Sequence, residues 1–287
     1  MEKLNTNKLS FKIKNRHGDN LNADLRYPND AVHKTEKLPL LIFCHGFKGF
    51  KDWGCFPYML EKIAGDGNYV LSFNFSYNGT GDEEINRSEF TRLELFAENT
   101  LSRELEDLES VIDFVFQNKK DFHFDTENLI LSGHSRGGGT VIIKTGEDKR
   151  IRKLVTLAAV CNFDRYGETM LKKWKEDGYI ETLNTRTNQL MRMNYTLVDD
   201  YLKNKERLDI QKAVSKINIP YLIIHGKQDL SVDYSNAEDI YSRSNKDLTK
   251  LVLLENTGHT FGAVHPFAGT SKALEEVIML INEFIKQ

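Results

Sequence analysis

The run Gly133-His134-Ser135-Arg136-Gly137 sets a hydroxyl between two glycines, directly after the apolar stretch Leu129-Ile130-Leu131-Ser132 and before the helix-compatible segment Gly138 to Lys144. A strand that turns abruptly into a helix forces its hinge residue into a strained backbone geometry, and flanking glycines remove the Cβ atoms that would collide there. A serine at such a hinge stands at a helix N-terminus, where the dipole and the free N–H groups favour developing negative charge. The chemistry this suits is attack of Ser135 on a carbonyl carbon. A serine hydroxyl is a weak nucleophile at neutral pH, so a histidine and an orienting acid must come from elsewhere in the chain.

The chain holds eight histidines. His17 falls in a predicted turn, His33 and His123 in loops, and His134 inside the elbow itself. His45 and His225 each belong to a His-Gly pair at a predicted strand end. His259 lies in Asn256-Thr257-Gly258-His259-Thr260-Phe261, just after the last predicted strand, with His265 as its competitor a few residues on. The chain order serine, acid, histidine places the base directly after the final strand, which selects His259. The acid belongs in the loop after the preceding strand, where Tyr221 to His225 runs into Gly226-Lys227-Gln228-Asp229. Asp229 is expected to accept the Nδ1 hydrogen bond of His259, whereas Asp233 opens the next helical pattern and reads as a cap. The oxyanion of acyl transfer needs two donors. The turn His45-Gly46-Phe47-Lys48-Gly49-Phe50 offers the backbone N–H of Phe47, and the elbow offers that of Arg136, whose side chain is expected to be solvated or ion-paired.

Positioning these residues requires a sheet whose strand ends gather on one edge. Continuous apolar runs at Pro39–Cys44, Tyr69–Phe75, Asn128–Ser132, Ile151–Ala158, Pro220–Ile224 and Leu251–Leu254 read as buried strands, and helical patterns lie between them. One helix is expected from about Arg92 to Phe116 and a last one from about Ser271 to Lys286. Leu9–Lys14 and Leu21–Tyr27 alternate apolar and polar residues around His17-Gly18-Asp19-Asn20, which predicts an antiparallel N-terminal hairpin. The fold class is therefore α/β, a mostly parallel doubly wound sheet with that hairpin at its edge. Phe163 to Ala213 is too long for a plain crossover. It is expected to be a helical cap inserted into a core of residues 1–162 and 214–287, with a surface insertion of no substrate role as the alternative. Ligands in open α/β sheets bind outside the carboxyl ends of the strands, which favours the cap. Phe50, Trp174, Tyr179 and Met191 are the candidate substrate contacts.

Composition narrows the function classes. With 39 Lys plus Arg against 42 Asp plus Glu, the net charge of −3 gives no electrostatic claim on nucleic acid or anionic membrane. No stretch approaches the ~18 apolar residues of a membrane span, and Met1 to Ser10 has no apolar leader core, so no membrane insertion is expected and the location reads as cytoplasmic. Cys44, Cys55 and Cys161 show no CxxC spacing, so neither a disulfide framework nor a metal site is expected. Cys44, ending an apolar run beside His45, reads as a buried small hydrophobe.

Gly133 to Gly137, His45-Gly46-Phe47, Asp229 and His259 together resemble the α/β-hydrolase superfamily over roughly residues 9–287. Within it, the His-Gly-Phe turn, the His-Gly-x-x-Asp loop and the mid-length insertion resemble bacterial carboxylesterases similar to cinnamoyl and feruloyl esterases, dienelactone hydrolases and serine aminopeptidase-like lipases. The dienelactone hydrolases commonly carry a cysteine nucleophile where this chain has Ser135. The resemblance and the chemistry imply hydrolysis of a small-molecule carboxylic ester through an acyl-enzyme, without metal or organic cofactor, by a monomer or homodimer. An aminopeptidase or thioesterase with the same three residues is the alternative, the former favoured if Glu168, Glu176, Asp177 or Glu181 captures a substrate amine. A non-catalytic binding protein on the same fold is the rival of another class.

Overall fold

The computed structural model describes residues 5–31, 37–81, 89–122, 124–185 and 187–287. His33 and His123 lie outside them, as does the start of the N-terminal segment. Ten strands and nine helices form among the described residues. β1 (Thr6–Lys14), β2 (Asn20–Pro28), β3 (Leu38–Cys44), β4 (Tyr69–Phe73), β5 (Phe124–His134), β6 (Lys153–Leu157), β9 (Tyr221–Gly226) and β10 (Thr249–Leu254) make one sheet in the order β1-β2-β4-β3-β5-β6-β9-β10. β1 and β2 form the expected antiparallel hairpin, β2 runs antiparallel to β4, and the pairs from β4 through to β10 are parallel.

The continuous apolar runs exist because the central strands are covered on both faces. In β3, Leu40, Ile42 and Cys44 point to one core and Leu41 and Phe43 to the other; in β9, Tyr221 and Ile223 divide from Leu222 and Ile224 in the same way. The second face is covered by α1 (Phe56–Gly65) and α9 (Lys272–Lys286), through residues such as Leu60, Ile63, Val277 and Ile281. The first is covered by α3 (Leu101–Gln117), α4 (Arg136–Glu147) and α8 (Ser235–Arg243). Among the described residues, no helix is long and apolar enough to cross a membrane.

Two expectations need correction. The helix foreseen from Arg92 to Phe116 is two helices, α2 (Leu93–Ala97) and α3. Thr100 takes an extended backbone (φ −132°, ψ 160°) and its hydroxyl accepts the Arg103 N–H, so a cap interrupts the apolar periodicity. The segment 163–213 is not all helical: α5 (Glu168–Asp177) is followed by the antiparallel hairpin β7 (Tyr179–Asn184) and β8 (Gln189–Asn194), then α6 (Thr196–Lys203) and α7 (Ile210–Val214). Gly178, at φ +76°, ends α5 in the left-handed conformation that β-carbon-bearing residues resist, and the chain leaves as a strand. The inward positions of β8 are Met191 and Met193, whose high helix propensity hid a period of two.

Candidate active site

β5 ends at His134 and α4 begins at Arg136, so Ser135 alone makes the turn, at φ 57° and ψ −120°. That conformation is strained for a residue with a side chain and is sustained by its surroundings: the Ser135 N–H donates to Leu157 O at 2.9 Å, and Ser135 O accepts Gly138 N–H at 3.0 Å. The two glycines are sterically obligatory. A Cβ on Gly133 would lie 2.3 Å from Gly137 O, and one on Gly137 would lie 2.3 Å from His45 O. The Arg136 N–H is the first of α4, one of the donors a helix leaves without an intrahelical acceptor.

Asp229 and His259 emerge from the neighbouring parallel strands, after β9 and β10, on the same carboxyl edge. Their two loops are clipped together: Gln228 N–H donates to Thr257 O and Thr257 N–H donates to the Gln228 side-chain oxygen, both at 2.9 Å. Across the clip, His259 Nδ1 donates to Asp229 Oδ2 at 2.7 Å. The other carboxylate oxygen, Oδ1, accepts Ser231 N–H at 2.8 Å and Val232 N–H at 2.9 Å. Burial works against the charge on Asp229, but the contacts from His225 and His259 outweigh it and hold its carboxyl well below the usual carboxylate range. His134 Nε2 donates to His259 O at 2.9 Å, so the elbow also fixes the base loop. Burial pushes the His134 imidazole down to about 3 and that of His45 to about 4, leaving both neutral at physiological pH.

The rejected candidates have other employment. His265 Nδ1 accepts the Gly54 N–H at 2.7 Å and its ring stacks on Trp53. Asp233 Oδ1 accepts the Ser235 N–H at the start of α8. His17 pairs with Glu106 in a partly exposed contact. Cys44 is fully buried and desolvation pushes its thiol upward, away from the thiolate a nucleophile requires. The Arg136 side chain is ion-paired with buried Glu104, and its guanidinium lies 4.6 Å from the centre of the Phe47 ring.

Two cavities meet at Ser135 and His259. One, of about 420 Å³, is lined on its apolar side by Phe47, Phe163, Tyr166, Leu197 and Tyr201. The other, of about 530 Å³, is lined by Phe47, Trp53, Asn184, Thr185 and His265. Of the candidate substrate contacts, none lines either cavity. Phe50, Trp174 and Met191 are fully buried in the core, with the Trp174 indole N–H donated to Met193 O at 3.0 Å. Tyr179 sits on the outer face of β7 under the Arg192 guanidinium. Phe50, Trp174 and Met191 serve packing and Tyr179 covers the outer face, because residue type alone does not say which way a side chain points. The lining that sequence reasoning missed had a signal: Leu197, Val198, Tyr201 and Leu202 recur at the i, i+1, i+4, i+5 spacing of one helix face.

Comparison with known proteins agrees with this architecture. The model of the BD-FAE family matches residues 92–243, more than half of the chain. A 31.7 kDa Escherichia coli protein from the traX-finO intergenic region is 26% identical over 199 residues, which are 66% of this chain and 64% of that protein. Among solved structures, Est1E from Butyrivibrio proteoclasticus superposes with a TM-score of 0.68 at 21% identity, over 96% of this chain and 97% of that one. The same protein with ferulic acid bound gives 0.67. The esterase domain of a Rhodothermus marinus protein gives 0.64 at 18% identity, over 97% of each chain.

Proposed function

The chain belongs to the BD-FAE family, and from that premise we propose that it is an esterase-type α/β hydrolase, a serine carboxylesterase working through an acyl-enzyme on Ser135. The observation that carries this reading is the 2.7 Å contact of His259 Nδ1 with Asp229, facing the same cleft as a serine in a strained elbow. In the first step Ser135 Oγ bonds to the ester carbonyl carbon while its proton passes to His259 Nε2. The carbonyl oxygen becomes an oxyanion held by the N–H groups of Phe47 and Arg136, and Asp229 stabilises the imidazolium. Collapse breaks the bond to the alcohol oxygen, which leaves with the proton from His259. Water then repeats the sequence on the acyl-enzyme, giving the free acid and restoring Ser135.

The aromatic and aliphatic lining of the 420 Å³ cavity supports an aromatic or medium-chain acyl group, and the ferulic acid held by Est1E points the same way. We take residues 163–213 as a cap on the core of residues 1–162 and 214–287, since Phe163, Tyr166, Leu197 and Tyr201 line that cavity. Glu168, Glu176, Asp177 and Glu181 line neither cavity, whereas Asp164 of the same segment lines the first and is the acid an aminopeptidase reading would have to use. The three free, buried cysteines fit a reducing, cytoplasmic setting for an enzyme acting on small-molecule esters.

The test compares intact protein with Ser135→Ala on p-nitrophenyl acetate and octanoate, methyl ferulate and an aminoacyl anilide. Ester turnover is expected in the intact protein alone, with stoichiometric labelling of Ser135 by a fluorophosphonate. Equal activity of the two proteins on every substrate would sink the mechanism.

A further inference from the structure

The His-Gly-x-x-Asp loop contains a second imidazole that the mechanism above leaves unused. His225, the penultimate residue of β9, is fully buried and lines neither cavity at Ser135. Its Nε2 is hydrogen-bonded to Val232 O at 2.9 Å and lies, without a second hydrogen bond, 3.2 Å from Asp229 Oδ2, the same oxygen that His259 Nδ1 contacts. Both neighbours of Nε2 are acceptors, so Nε2 carries the hydrogen. Nδ1 is buried and meets no hydrogen-bond partner among the described residues. A buried polar atom without a partner is costly, and the fold retains this one.

Resting on the assignment of Ser135, Asp229 and His259 above, we propose that His225 is a positioning residue of the same site, whose Nε2–H, donated to Val232 O, holds the loop that aims Asp229 and sets a positive N–H dipole beside its Oδ2. The geometry gives it two handles. Through Val232 O it closes the loop whose Val232 N–H holds Asp229 Oδ1, and through the 3.2 Å approach it faces Oδ2 directly. The other titratable groups facing this carboxylate are His259, His134 and Asp233. A carboxylate deprived of a nearby positive dipole attracts a neighbouring imidazolium more strongly. Loss of the His225 N–H therefore moves the acid limb of the pH profile up, while the loosened carboxylate orients His259 less well.

The experiment measures kcat and KM against pH for the full chain and for His225→Leu, His225→Asn and His225→Gln on the ester the intact protein hydrolyses best. Glutamine places an amide nitrogen at the reach of Nε2, whereas asparagine places one at the reach of Nδ1, where no acceptor waits. His225→Leu and His225→Asn are expected to lower kcat about three- to tenfold, to leave KM unchanged and to move the acid limb of kcat/KM up by about half a unit to one unit. His225→Gln is expected to restore both. A limb that stays at the wild-type pH in all three variants, or rescue by asparagine as good as by glutamine, overturns the proposal and leaves a loop staple. Should the variants not fold, the nitrogen-15 spectrum of histidine-labelled wild-type protein decides: His225 is expected as the Nε2–H tautomer with its Nε2 signal moving as Asp229→Asn removes the carboxylate charge, and the Nδ1–H tautomer or an Nε2 signal indifferent to Asp229→Asn refutes the proposal. Failure of this reading is separable from failure of the esterase reading, which would appear as equal activity of wild type and Ser135→Ala.

Discussion

At the scale of single residues, the site depends on local backbone obligations more than on side-chain abundance. Ser135 was legible because each glycine around it has a steric reason, stated by the 2.3 Å approaches at Gly133 and Gly137. Asp229 and His259 were legible only through chain order, since the sequence around either one is compatible with a plain turn. What distinguishes His259 from His265 is its contact with the acid, while His265 is occupied by the Gly54 N–H. Asp229→Asn is expected to lower kcat about 10³- to 10⁴-fold with little change in fold, because the amide cannot hold His259 in the tautomer that accepts from Ser135. Steady-state kinetics with a thermal melt as control checks this. The carboxyl of Asp229 is held below its ordinary value of 3.8 by its donors despite burial, so its contribution to stability is complete above that value and disappears only as pH falls through the still lower value of the folded state.

At the scale of elements, the central strands and α9 were visible in advance because burial on two faces or on one stripe leaves an unmistakable apolar period. The β7–β8 hairpin was not, since its inward positions on β8 are methionines and its outward positions include Leu183 and Leu190, both exposed. Likewise the break between α2 and α3 is made by one threonine whose capping bond is invisible to periodicity. The orientation of α6 is what gives the first cavity an apolar wall, through Leu197 and Tyr201. Tyr201→Ala is expected to reduce kcat/KM for methyl ferulate and p-nitrophenyl octanoate about tenfold while sparing p-nitrophenyl acetate, whose acyl group is too short to reach that wall. A parallel loss on all three esters would remove α6 from substrate selection.

At the scale of the whole molecule, distant parts of the chain converge on a buried acid that the proposed chemistry does not use. Asp107 of α3 accepts Asn15 Nδ2 at 2.8 Å from the β1–β2 turn, and the N–H and hydroxyl of Ser76, each at 2.8 Å, from beyond β4. Burial raises its carboxyl from 3.8 to about 6 against the pull of these donors. The folded state therefore holds this proton more tightly than the unfolded chain, and the contribution of Asp107 to stability falls as pH rises between those two values. Asp107→Asn removes the titration. Relative to wild type, its melting temperature is expected to improve as pH rises from about 4 to about 6, by an amount worth up to a few kcal/mol. A constant difference across that range, read by calorimetry, would exclude the effect.

The reciprocal hydrogen bonds between Gln228 and Thr257 have a mechanical meaning. They turn two loops from separate strands into one arm that carries both Asp229 and His259. Since His134 of the elbow also holds His259 O, a substituted cap or a bulky ester is expected to meet acid, base and nucleophile as one braced frame, in which Asp229 and His259 keep their own spacing.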